Sequence, residues 1–170
     1  MPTKGNYSAL TLIEILVVIA VIGILAALVV PNIGGWNCRQ EARNSFDGLN
    51  IFLETLRSEA VNRNKTMMAY YSRNGYMRAY QVSKACQVNT SIVSTNIPDL
   101  VIDRKNKVTT HSSSAPFTCF HADGSSYGGQ FRISRQCDGK NYQFKNQILS
   151  ATGFIEKSKY NLTTSKWDEL

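Results

Sequence analysis

The sequence predicts an α+β fold: one long N-terminal helix, apolar on every face in its first half, followed by an antiparallel β-sheet domain that packs on its second half. Three observations carry this. Leu10 to Val30 reads LTLIEILVVIAVIGILAALVV, with Glu14 as its only charge. Ala42, Phe46, Leu49, Leu53, Leu56 and Ala60 then recur at spacings of four and three, which draws one stripe along a helix. Beyond Asn62 the chain breaks into short β-prone runs separated by Asn-Gly, Asp-Gly and Gly-Gly turns.

The apolar run is long enough to matter. At about 1.5 Å of rise per residue it covers roughly 30 Å, the thickness of a hydrocarbon core. A helix apolar all round is buried in protein or in lipid. Met1 to Ala9 precede it, with Lys4 as their only charged side chain. In a secretory signal peptide the small residues of the cleavage site follow the apolar run. Here Ala9 stands before it, and Gly5 lies further upstream.

A small residue, then Leu10-Thr11-Leu12-Ile13-Glu14, then an apolar run ending at Pro31 resembles the signal segment of type IV prepilins and type II secretion pseudopilins. The resemblance implies a pilin fold. It implies a cut by prepilin peptidase between Ala9 and Leu10, methylation of the new terminus, and Glu14 as the fifth mature residue. Ala9 stands where the family usually has Gly, and Leu10 where it usually has Phe. Cutting after Gly5 would misplace Glu14. Glu14 is then expected to pair with the amine of Leu10 on a neighbouring subunit, since a lone carboxylate in lipid is costly. Pro31 falls where such chains often place a helix-kinking proline. The implied setting is a single pass through the inner membrane, with the C-terminal domain in the periplasm, and then a pilus or pseudopilus. The implied partners are other minor pilins and the major pilin, or pseudopilins.

The expected division is a leader over 1–9, a membrane and filament-core helix over 10–35, its amphipathic continuation over 36–62, and a β domain over 63–170. Removing leader and apolar helix leaves about 130 residues, enough for one domain with a modest core. The net charge is +7, from 19 Lys and Arg against 12 Asp and Glu, and losing Lys4 lowers it by one. Such a balance favours anionic partners without defining a site.

Along the chain, Pro31 and Gly34-Gly35 mark a weak point in the helix. Lys65–Arg73 and Tyr76–Lys84 flank Asn74-Gly75, which predicts a hairpin with a type I′ turn. Tyr70, Tyr71, Tyr76 and Tyr80 are expected to pack on a sheet. Cys86–Ile97 reads as a loop. Leu100–Asp103 and Val108–Thr110 read as short strands, and His111–Ala115 as a Ser-rich loop. Phe117–His121, the run around Phe131 and Ile133, Tyr142–Lys145 and Phe154–Lys157 read as further strands, and Ser158–Leu170 as a polar, mobile tail whose Trp167 can dock. This succession resembles the C-terminal half of FimT/FimU minor pilins and H-type minor pseudopilins.

Four cysteines, Cys38, Cys86, Cys119 and Cys137, include no CxxC pair, and His111 and His121 lack zinc-ligand spacing, so no metal is expected. Export permits disulfides. Cys38, on the helix, is the least expected to bond within the domain. Among the other three, Cys119–Cys137 is favoured over pairs with Cys86.

No phosphate-cradling loop, GxSxG or HExxH is present, and no catalytic residues or cofactor are expected. The chain reads as a structural subunit, not an enzyme. Its leading reading is a minor pilin of a type IV pilus. The rival is a minor pseudopilin of type II secretion, and a third reading is a DNA-binding pilin of the FimT kind. Lys140, Lys145, Lys157 and Lys159 are the candidate DNA contacts, with Tyr142, Phe144 and Tyr160 interleaved. The FimT resemblance implies a Gly-Arg-x-Arg element, but the aligned stretch reads Gly153-Phe154-Ile155-Glu156-Lys157, without either arginine. DNA binding is therefore expected to be weak and salt-sensitive.

Overall fold

The computed structural model describes residues 11–72, 74–83, 86, 93–110 and 117–170, leaving aside the side chains of 27–33. The chain divides into two compact units, Met1–Asn37 and Cys38–Leu170. One helix, α1, is assigned over Leu12–Asn62 and passes through Pro31 and Gly34-Gly35. The expected Ser-rich loop at His111–Ala115 lies outside the described residues.

In the second unit ten strands follow α1: β1 Thr66–Tyr71, β2 Tyr76–Val82, β3 Val93–Ser94, β4 Leu100–Val101, β5 Lys107–Thr110, β6 Phe117–Phe120, β7 Gly129–Cys137, β8 Lys140–Ile148, β9 Ile155–Asn161 and β10 Lys166–Glu169. They form two antiparallel sheets. The first runs β3-β2-β1-β6, with β4 also on β2, and the second runs β10-β9-β8-β7-β5. This is the expected α+β arrangement.

The stripe read from the sequence is the core. Ala42, Leu49, Leu53, Leu56 and Ala60 are fully buried, and Phe46 nearly so. Met67, Ala69, Met77, Phe120, Phe131, Ile133, Phe144 and Ile148 meet them from the two sheets. The Phe46 and Phe144 rings stack at 5.1 Å. Burying one such side chain stabilises by about 1.5–3 kcal/mol, so the helix is held by packing more than by propensity.

Polar contacts fix the helix along its length. The Arg135 guanidinium on β7 bonds the carboxylate of Glu41 and lies 3.3 Å from Asp103. Arg57 Nη2 donates to the Thr152 carbonyl at 2.9 Å, and Lys157 Nζ sits 2.7 Å from Glu54.

Three sequence expectations need correction. The bridges are Cys38–Cys137 and Cys86–Cys119, not Cys119–Cys137. Cys119 lies on β6 in the first sheet, whereas Cys137 ends β7 in the second. Nearness in sequence therefore does not bring their side chains together. Cys38 instead meets the end of β7, where Arg39 also reaches Asp138 at 3.8 Å. Cys86, after β2, closes over a small second cluster of Met68, Val82 and Cys119 on the other face of the first sheet.

The tail is the second correction, for Ser158–Leu170 is ordered as a β9–β10 hairpin. Asn161 Oδ1 accepts from the N–H groups of Thr163 and Thr164 at 2.9 and 3.2 Å, and Ser165 takes φ +53°. An Asx turn closes this hairpin without glycine or proline.

The Asn74-Gly75 hairpin forms with a different turn. Gly75 has φ +87° and its N–H donates to the Ser72 carbonyl at 3.0 Å. The type I′ geometry appears instead at Asp138-Gly139, with φ +51° and +71°, between the paired Cys137 and Lys140.

Candidate functional site

The first unit carries the candidate assembly site. Thr11 precedes the first helical residue and caps it. Its carbonyl accepts the Glu14 N–H at 3.0 Å, and its Oγ1 lies 3.4 Å from the same nitrogen. Thr-x-x-Glu at a helix start is the capping-box spacing, and a carboxylate in the first turn is favoured by the helix dipole by about 0.3–1 kcal/mol. The sequence reading placed Glu14 but missed Thr11 as its cap. The Thr-x-x-Glu pattern ahead of an apolar run was the signal to find it.

Leu12, Ile13, Ile15, Leu16, Val17, Val18, Ile19, Val21, Ile22, Ile24 and Leu25 are all exposed. An exposed apolar surface of this kind marks a site of association with protein or membrane. Among the described residues no helix is long and apolar enough to cross a membrane. The expected cut site, Ala9 and Leu10, lies outside the described residues. Pro31 lies within α1, its side chain outside them.

The lysines proposed for DNA contact are not brought together. Register places Lys159 opposite the buried Phe144, and Lys157 opposite the buried Asn146, on the helix-facing side of the second sheet. Lys157 is occupied by Glu54. Lys140 is exposed beside the β7–β8 turn. Lys145 alternates to the outer face, where its Nζ lies 4.9 Å from the centre of the Trp167 ring. Of the interleaved aromatics, Phe144 is core, Tyr142 is half-buried under Arg39, and Tyr160 meets Trp167 edge-on at 5.3 Å. Trp167 thus docks, as expected.

His121 rests near Thr66, with Nδ1 3.4 Å from Oγ1, in a polar cleft with Asn64, Lys65 and Asp123. The Asp123 carboxyl is held below the usual aspartate range, chiefly by the Ser125 hydroxyl. His111 lies outside the described residues.

Residues 4–30 match the prokaryotic N-terminal methylation motif. No curated protein sequence matches the chain. Among solved structures, the type IV minor pilin FimU of Pseudomonas aeruginosa is similar over 69% of this chain and 87% of its own, at 18% identity and a TM-score of 0.52. The minor pseudopilin EpsH of the Vibrio cholerae type 2 secretion system is similar over 74% of this chain and 94% of its own, at 10% identity and a TM-score of 0.43. The fold assignment rests on the first of these. The chain therefore joins the N-terminal methylation motif to an α+β fold similar to that of the minor pilin FimU.

Proposed function

We propose that this chain is a minor pilin, a structural subunit that enters or primes a type IV pilus. The observation that carries the reading is the matched motif at residues 4–30, continued by the exposed apolar face of α1. In this reading prepilin peptidase cuts between Ala9 and Leu10, and the new amine is methylated. Leu10 to Val30 sits in the inner membrane before assembly and packs among other subunits afterwards. The domain stays in the periplasm, where two disulfides suit an oxidising compartment.

Glu14 is the polar group that such packing must satisfy. A carboxylate among apolar side chains needs a partner, and the amine at Leu10 of an adjacent subunit is of opposite charge. Pro31 is the proposed point at which α1 adapts to its neighbours.

A minor pseudopilin of type II secretion is built on the same parts and remains the rival. Direct DNA uptake has less support: the lysines divide between two faces, one is paired with Glu54, and the arginine pair of the FimT element is missing.

The test is mass spectrometry of protein extracted from membranes, with pull-down of its partners. A methylated terminus at Leu10 and co-purified pilins are expected. An intact Met1 terminus, or a cut beyond Val30, would end this reading. Co-purified secretion pseudopilins would favour the rival.

A further inference from the structure

The outer face of the second sheet holds an arrangement that assembly leaves unexplained. Arg132 on β7 and Lys145 on β8 are direct cross-strand partners. Like charges placed directly opposite each other destabilise a sheet. Neither side chain has an ion-pair partner among the described residues. Arg132 Nε is also buried without a hydrogen-bond partner among them.

Both cations converge on one ring. The Arg132 guanidinium lies 5.0 Å from the centre of Trp167, and Lys145 Nζ 4.9 Å from it. Tyr160 holds the indole from its edge. Cation–π attraction offsets part of the repulsion, but it leaves two positive charges with no anion. With its face taken by these cations, the indole is a poor platform for stacking a base. Its role is to set the cations in place.

Most neighbouring positions are uncharged hydrogen-bonding groups, with one further cation, Lys107, opposite Ser134. On the same face Gln130 faces Gln147, Ser134 faces Gln143, and Gln136 faces Asn141. Amides and hydroxyls in rows suit a ligand rich in hydroxyl groups. A nucleic-acid backbone presents a charge at every step and calls for a longer row of cations. Here Glu156 and Glu169 share the face through Gln147 and Ser158, and they would repel such a backbone.

We propose that this face binds an acidic polysaccharide in which uronic acids are spaced by neutral sugars, with one carboxylate on Arg132 and Lys145 and the hydroxyls on the flanking amides. The site lies wholly within the second unit and is independent of whether the chain serves a pilus or a secretion system.

The experiment titrates the full chain in detergent micelles with an acidic oligosaccharide of about ten sugars in which glucuronate alternates with N-acetylglucosamine, a neutral oligoglucan of equal length, and duplex DNA. Micelles alone are the blank. Binding of the acidic oligosaccharide is expected, weakened by salt. Arg132→Gln with Lys145→Gln is expected to reduce it at least about tenfold, as losing a charge-assisted contact does. Lys159→Gln, a charge lost from the opposite face, is expected to leave it within about twofold. Trp167→Phe keeps a ring and tests whether the cations are held, and circular dichroism checks that each variant is folded. Absence of binding of the acidic oligosaccharide, equal binding of the neutral glycan, tighter binding of DNA, or a folded double variant with undiminished affinity would each overturn the proposal.

Discussion

The guanidinium of Arg135, buried on β7, bonds the carboxylate of Glu41 on α1. The same guanidinium reaches Asp103, in the segment between β4 and β5, at 3.3 Å. One buried cation thus ties the helix, the second sheet and that segment together. A buried charge that loses a partner is costly, whereas an exposed one is not. We expect Glu41→Ala to lower the stability of the domain by about 1–3 kcal/mol, although Glu41 itself is half-exposed. Urea titrations of Glu41→Ala, Asp103→Ala and the double variant form a cycle. Strict additivity would show that Arg135 does not couple the two carboxylates.

Asp103 gives a pH signature. Its carboxyl is held below the usual aspartate range, first by the Lys105 backbone N–H at 3.0 Å and then by the charge of Arg135. A depressed folded-state value contributes stability above the ordinary aspartate range, and that stability is lost as pH falls through the depressed value. Asp103→Asn is therefore expected to be less stable than the parent at neutral pH. The gap should narrow as pH falls below the ordinary aspartate value and close below the depressed one. A gap of constant size across that range would remove the carboxylate from the explanation.

The disulfides make separable contributions. Cys38–Cys137 closes a separation of 99 residues, and Cys86–Cys119 one of 33. By loop entropy the longer bridge stabilises by about 1 kcal/mol more. Paired Cys→Ala variants melted by heat should rank in that order. Unreduced peptide maps should join Cys38 to Cys137 and Cys86 to Cys119. A peptide linking Cys119 to Cys137 would restore the pairing that the sequence favoured.

Periodicity made the core legible, because burying one helix stripe and one face of each strand is what spaces Phe46, Leu49, Leu53, Phe131 and Ile133 as they are. Pairings between elements left no such mark. Cys119 and Cys137 look adjacent along the chain, but β6 and β7 belong to different sheets. The β9–β10 hairpin was hidden because its turn uses Asn161 and a left-handed Ser165 where glycine or proline would have announced it. At the N-terminus, Glu14 was legible from the motif, while its backbone role depends on where the helix begins. The lysines formed a cluster in sequence that strand alternation then divided between faces.

Gly153 shows a residue kept for the backbone. It has φ +61°, and a Cβ there would collide with the Gly124 carbonyl and press on Arg57 Nε. Its N–H closes the β8–β9 turn on the Leu149 carbonyl at 2.8 Å. Gly153→Ala is expected to destabilise the domain by more than about 1 kcal/mol, beyond the usual effect of a compatible Gly→Ala change. A stability equal to or above that of the parent in thermal melts would show that the turn adapts.

Glu14 has two possible roles, and they separate by substitution. As the fourth residue of Thr11-Leu12-Ile13-Glu14 it stands at the capping-box position, and Thr11 engages its N–H. Gln serves that role as well as Glu. As the partner of an amine at Leu10 of a neighbouring subunit, only the charge serves. Glu14→Gln is therefore expected to leave the domain folded and the chain in the membrane while reducing its incorporation into filaments. Thr11→Ala, which removes the cap and keeps the charge, should cost the helix about 1 kcal/mol and leave incorporation largely intact. The readout is the amount of the chain in sheared filaments, relative to its amount in membranes. The opposite order, with Thr11→Ala failing to incorporate and Glu14→Gln behaving as the parent, would make Glu14 a helix-capping residue and refute the proposed pairing.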